Sequence, residues 1–193
     1  VVERAEQGGI CLNWGCIPSK SMMESVKLYQ RITKDSARFG IEGIDKKSVS
    51  FNWSKGIKRA DTIVKRLTGG VEFLLKKNGV DIINGEAKII SSKSVLVDNR
   101  LLETKNIIIA TGSSSPKIET EHDDLVIEPK KLFTEREVPQ NIVVLGKSPV
   151  AIELAQLFNM IDRKITLISD TTFIMPKANT YVRNYMERKK KKD

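Results

Sequence analysis

Residues 141–169, NIVVLGKSPVAIELAQLFNMIDRKITLIS, decide the architecture. NIVVL and KITLI are short β-branched runs of the kind that form buried strands. SPVAIELAQLFNM between them reads as a helix, entered through a tight turn at Gly146. Strand, turn, helix and strand within about 30 residues make a βαβ unit, and such a unit implies a parallel, doubly wound α/β sheet.

Upstream, Val1 to Glu3 reads as the end of a strand. Residues 19–40 are broadly helical, with Met22, Met23, Val26, Leu28, Tyr29 and Ile32 recurring at three- and four-residue spacings. A second helix is expected from about Asn52 to Lys77. Its apolar stripe includes Ile57, Ile63, Val64, Leu67, Val71, Leu74 and Leu75, interrupted by Gly69-Gly70. From Val80 the period shortens: VDIING, AKIIS, SVLVD and NIIIATG predict a β-meander that ends in one buried strand. Residues 113–140 are polar, hold three prolines and read as a connection. A further helix is expected to begin near Tyr181.

Composition narrows the function classes. The chain of 193 residues is 40% hydrophobic and 30% charged, ordinary for a globular protein. The formal charge of +9 invites a nucleic-acid reading, but residues 183–193, RNYMERKKKKD, hold six basic and two acidic residues and so carry +4 of it. The rest forms no basic stripe interleaved with aromatics, so no nucleic-acid partner is expected. No apolar run approaches the roughly 20 residues that span a bilayer, and no membrane partner is expected either. VVERAEQGG has none of the features of a signal peptide, so a cytoplasmic location is expected. The opening at Val1 reads as the middle of a fold, and truncation is the expectation. His122, the one histidine, lies in the acidic loop ETEHDD and gives no zinc-type ligand set; no metal site is expected.

The segment GGICLNWGCIPSK, residues 8–20, carries the sharpest chemistry. On a regular helix, Cys11 and Cys16 would have Cα atoms roughly 8.6 Å apart, whereas a disulfide needs about 4.4–6.8 Å. A bridge therefore requires the backbone between them to leave the helix, and Asn13 and Gly15 are types that permit it. Pro18 suits the first turn of a following helix. Cys16 near that helix start, with Lys20 one turn on, has surroundings that favour a thiolate. From spacing alone, two small buried cysteines with no redox role remain an alternative.

GGICLNWGCIPSK resembles the active-site disulfide motif of the pyridine nucleotide-disulfide oxidoreductases. Its CLNxGCIPSK form is most similar to that of the dihydrolipoamide dehydrogenases. SARFGIE, FNWSKGIKRADTIVKRLTGGVEFLLKKNGVDIINGEAKI, NIIIATGS and LFTEREVPQNIVVLG resemble further segments of that family in their usual order, to about residue 176. The resemblance implies two Rossmann-like domains, both incomplete, with a β-meander in the first. Residues 1–118 would be a partial FAD-binding domain, 119–140 the connection, and 141–193 a partial NAD(P)-binding domain. It implies that Cys11 is the outer thiol that exchanges with a dithiol, and Cys16 the inner thiol that faces the flavin. Lys20 would stand beside the flavin ring and pair with Glu153. Glu3 would bond the FAD ribose, Gly9 would be a further cofactor-binding residue, and Ala87, Ala110, Thr111 and Gly112 would approach FAD through backbone. Electrons would pass from the dithiol through the disulfide and FAD to NAD. The implied partners are the lipoamide of 2-oxo acid dehydrogenase or glycine cleavage complexes, and a second copy of the full-length chain in a homodimer.

The second nucleotide motif departs from the family pattern. A fingerprint G-x-G-x-x-G/A is expected after NIVVL, where the chain has Gly146, Lys147, Ser148, Pro149, Val150 and Ala151. Glycine at the second position lets a pyrophosphate approach the backbone, so Ser148 counts against an NAD site. The acid usual at the end of the next strand is replaced by Ser169, with Asp170 one place late, and a family turn glycine appears as Asp162. The family's first glycine fingerprint and its His–Glu acid–base pair find no counterpart in these residues, so the chain alone is expected to be inactive. Two other readings stand beside the leading one: a non-catalytic remnant or interaction module of the same origin, and a glutathione or mercuric reductase-like enzyme.

Overall fold

A run of helices, a run of short strands and a strand–helix–strand unit follow one another along the chain. The structure, a computed structural model, describes residues 1–115, 118–134, 137–171 and 175–190, with Lys189 and Lys190 described by backbone only. The chain runs through β1 (Val2–Glu3), α1 (Gly9–Asn13), α2 (Cys16–Gln30), α3 (Trp53–Lys77), β2 (Ile83–Asn84), β3 (Ala87–Ser91), β4 (Ser94–Val97) and β5 (Arg100–Glu103). It continues through α4 (Pro129–Leu132), β6 (Asn141–Leu145), α5 (Pro149–Asn159), β7 (Lys164–Ile168) and α6 (Thr180–Lys190). A π turn at Arg31–Asp35 and a 3-10 turn at Ser36–Phe39 prolong α2, which accounts for the helical pattern over 19–40. The fold is α/β, with small sheets. The expected connection and basic tail run in part through residues 116–117, 135–136 and 191–193, outside the described residues.

The chain divides into two compact units: Val1–Ser21 with Ile57–Glu135, and Met22–Gly56 with Arg136–Asp193. In the first, β1 and β2 pair in parallel, Val2 opposite Ile83 and Glu3 opposite Asn84. The Ile83 and Gly85 N–H groups extend this ladder to the Val1 and Glu3 carbonyls at 2.9 and 3.0 Å. β3, β4 and β5 form an antiparallel meander. Val97 of β4 is buried, and Asp98 turns the chain towards β5 at φ 49°. Ile57 and Ala60 on α3 supply further buried surface.

The meander ends differently from expectation. Its last strand is β5, RLLE, while the run NIIIATG at 106–112 forms no strand. Ile108 and Ile109 are 91% and 69% exposed. Three consecutive isoleucines have the propensity for a strand, but a buried strand also needs a neighbouring edge to hydrogen-bond and a surface to cover it. The parallel pair β1–β2 is two residues long and offers no such edge to this run.

In the second unit, β6 and β7 pair in parallel from Asn141–Lys164 to Leu145–Ile168, with α5 as the crossover. Ala151, Leu157 and Phe158 of α5 are buried, as are Ile161, Met22, Val26 and Trp53. Each fully buried side chain of this size stabilises by roughly 1.5–3 kcal/mol. The Trp53 and Phe158 rings pack with centroids 5.4 Å apart. Asn52 begins α3 by accepting the Lys55 N–H on its Oδ1 at 2.9 Å.

Before β7 the chain reverses at Asp162, which holds φ 61°, a left-handed conformation that glycine adopts most readily. Aspartate tolerates it, and its Oδ2 accepts the Tyr29 hydroxyl at 3.2 Å. Burial, and then the neighbouring Asp162 carboxylate, hold the Tyr29 hydroxyl above the ordinary tyrosine range. The folded state thus keeps this proton more tightly than the unfolded chain does. The contribution is complete below pH about 10 and is lost as pH rises through the folded value. Urea midpoints measured from pH 8 to 11 should fall less steeply for Tyr29→Phe than for the parent chain.

Candidate active site

Cys11 lies in α1 and Cys16 opens α2; the two are joined as a disulfide with Cα atoms 4.6 Å apart. The helix interruption that spacing requires falls at Trp14, whose backbone leaves the helix at φ −145°, ψ 19°. Of the two residue types that permit a departure, Asn13 stays helical. Its side chain acts as a brace: Nδ2 donates to the Gln7 and Gly9 carbonyls at 2.9 and 3.0 Å. Its Oδ1 accepts the Thr68 hydroxyl at 3.3 Å. Gly15 contributes close approach, because a Cβ there would stand 2.9 Å from the Ile10 carbonyl oxygen and 3.1 Å from Cys11 Cα. Pro18 is buried in the first turn of α2, where a missing N–H costs no helical bond.

Both cysteines are exposed, so an incoming thiolate can reach the bridge. Cys16 is the first residue of a 15-residue helix, and the partial positive charge of that terminus favours a thiolate there. Lys20 follows one turn later on the same helix and is exposed. Lys130, from α4, stands over the Trp14 ring with Nζ 4.1 Å from its centroid, a contact that escaped the sequence reading.

The residues expected to hold FAD belong to the same unit as the disulfide. Glu3 ends β1, half-buried, with Oε1 accepting the Ala5 N–H at 3.0 Å. A carboxylate at the end of a parallel strand suits ribose hydroxyls. Gly9, Ala87, Ala110, Thr111 and Gly112 are exposed and small-to-medium in size. Gly112 has φ 74°, and nothing lies within 4 Å of where its Cβ would be, leaving its backbone open to a ligand. This set fits FAD.

The second unit holds Glu153, half-buried on α5, and the altered fingerprint. Ser148 is the N-cap of α5, and its Oγ accepts the Ala151 N–H at 3.4 Å. Pro149 fills the first helical position and Val150 the second. Lys147 Nζ donates to both oxygens of Asp170 at 2.7 and 2.8 Å. That donation holds the Asp170 carboxyl below its ordinary range. The pairing follows from register: Leu145 lies opposite Ile168, so Lys147 and Asp170 each stand two residues beyond a matched pair. These residues do not fit the diphosphate and ribose of NAD.

The profile of the pyridine nucleotide-disulphide oxidoreductases matches residues 1–193. The chain is 41% identical over 189 residues to a dihydrolipoyl dehydrogenase of Acholeplasma laidlawii, covering 95% of this chain and 55% of that protein. It is 32% identical over 199 residues to one from Chlorobaculum parvum, covering 97% and 41%. The mitochondrial dihydrolipoyl dehydrogenase 2 of Arabidopsis thaliana is 31% identical over 199 residues, with 97% and 38% covered. The chain thus spans about half, or less, of the length of these relatives.

Gly15→Ala should strain the turn between the cysteines, at a cost of about 1–3 kcal/mol. In glutathione redox buffers its disulfide should be reduced at least about fivefold more readily than the parent's, as read by thiol alkylation and mass spectrometry.

Proposed function

Because the chain belongs to the pyridine nucleotide-disulphide oxidoreductases, whose members use FAD and NAD, we propose that Cys11 and Cys16 form its redox-active centre and exchange with a dithiol of the dihydrolipoamide type. The observation that carries this reading is an exposed disulfide held across a broken helix, with its second cysteine at a helix N-terminus. The relatives named dihydrolipoyl dehydrogenase support the choice of dithiol. The partners that such a substrate implies are lipoyl-bearing 2-oxo acid dehydrogenase and glycine cleavage complexes in the cytoplasm, with a homodimer as the working form.

One substrate thiolate attacks Cys11 Sγ, the Cys11–Cys16 bond breaks, and Cys16 departs as a thiolate. The second substrate thiol then attacks its own sulfur in the mixed disulfide and releases Cys11. The dithiol is oxidised to a cyclic disulfide, the protein bridge is reduced to two thiols, and the two protons are shared among solvent and the released sulfurs. The N-terminus of α2 lowers the cost of the charge that develops on Cys16. Asn13 and Gly15 keep the sulfurs close enough for the bond to re-form. Glu3, Gly9, Ala87 and residues 110–112 would hold FAD, which, when bound, supplies a two-electron acceptor. Lys20 is the charged group of this unit assigned to its surroundings.

Dihydrolipoamide should reduce the bridge in the parent chain, and either cysteine-to-serine change should slow thiol exchange by at least about 100-fold. With lipoamide, Cys16→Ser should trap a mixed disulfide on Cys11, detectable by mass spectrometry, while Cys11→Ser should trap far less. Adducts on Cys16 instead, or equal exchange without either cysteine, would overturn the assignment. Glu3→Ala should weaken FAD retention about tenfold or more, the scale of lost hydrogen bonds to a carboxylate, as measured by equilibrium dialysis.

A further inference from the structure

The glycine-type loop between β6 and α5 is where a dinucleotide would present its diphosphate to a helix N-terminus. Binding there depends on N–H groups that have no partner of their own. Here the first helical position is Pro149, which has no N–H. The third, Ala151, already donates to Ser148 Oγ at 3.4 Å. Val150 is therefore the one residue of these first three whose N–H is neither missing nor engaged by the Ser148 cap. The hydroxymethyl group of Ser148 also stands at the fingerprint position where a glycine would leave the backbone bare.

The rest of the loop is turned towards the chain itself. The Lys147 ammonium holds both oxygens of Asp170, the acid nearest the place where a ribose would be gripped. The Lys147 carbonyl accepts the Met175 N–H at 3.0 Å, so Met175 is tied to the same loop. Met175 takes a left-handed φ of 52°. The ion pair is exposed and contributes little to stability, but it occupies the acid.

We infer that residues 146–151 form a self-capped loop, in which Ser148 engages the Ala151 N–H, Pro149 lacks an N–H and Lys147 holds Asp170, and that it does not take the diphosphate of a nicotinamide dinucleotide. The β6–α5–β7 unit keeps the dinucleotide fold and has its ligand interface closed from within. The conclusion goes beyond the disulfide chemistry and does not depend on it.

Titration of the 193-residue chain with NADH, followed by nucleotide fluorescence and competed with ADP, tests the inference. The variant combining Lys147→Ala, Ser148→Gly and Pro149→Ala restores donors and frees Asp170. It should bind NADH at least tenfold more tightly than the parent chain, and ADP should displace it. Parent affinity within tenfold of the variant overturns the inference. A variant that also fails to bind overturns it too, because those side chains then block nothing. Amide hydrogen exchange gives an independent readout: the Ala151 N–H should exchange slowly in the parent without nucleotide and faster in Ser148→Ala. Protection of Ala151 that appears only with NADH overturns the proposal. None of these measurements reads Cys11 or Cys16, so their outcome is separate from that of the disulfide assignment.

Discussion

Everything chemical in this molecule depends on a single interruption of helical geometry. Five residues of regular helix would hold two α-carbons about 8.6 Å apart, and the chain brings those of Cys11 and Cys16 to 4.6 Å. The break is made by Trp14 and allowed by the bare face of Gly15. Asn13 fastens it from the side, through bonds to Gln7, Gly9 and Thr68. Because α2 restarts at Cys16, the same break that permits the bond also gives one of its sulfurs a helix terminus. Geometry and reactivity therefore share one origin.

The two parallel strand pairs illustrate how differently one kind of element can be used. β1 and β2 meet over two residues and end in Glu3, a carboxylate with one oxygen on a neighbouring N–H. β6 and β7 pair over five residues and end in a loop whose polar groups are matched to one another. The first arrangement leaves hydrogen-bonding capacity for a ligand, and the second consumes it internally. Fold similarity alone would treat the two alike; the donors and acceptors separate them.

Much of this was legible before any coordinates. The βαβ unit at 141–169, the long helix from Trp53 and the helical stretch after Cys16 follow from local periodicity, and local signals survive in the fold. NIIIATG did not follow, because whether three isoleucines become a buried strand depends on a neighbouring edge that a linear reading does not see. β5 was overlooked for the converse reason: RLLE has little strand propensity and pairs because the turn at Asp98 presents it to β4. Asp162, which stands where the resemblance leads one to expect a turn glycine, marks a left-handed turn. In the candidate site, the cysteines and Ser148 were visible from residue type and spacing. The pairing of Lys147 with Asp170 needed the β6–β7 register, and the contact of Lys130 with Trp14 joins residues too far apart in sequence for any local pattern to reveal.

Trp14 has a further consequence. Trp14 lies between the two cysteines in sequence, and a disulfide quenches a nearby excited indole by accepting an electron, which a pair of thiols does far less well. The second tryptophan, Trp53, is buried against Phe158 in the other unit and gives a steady background. The emission of Trp14 should therefore rise when the pair is reduced, which fluorescence reads without any added dye.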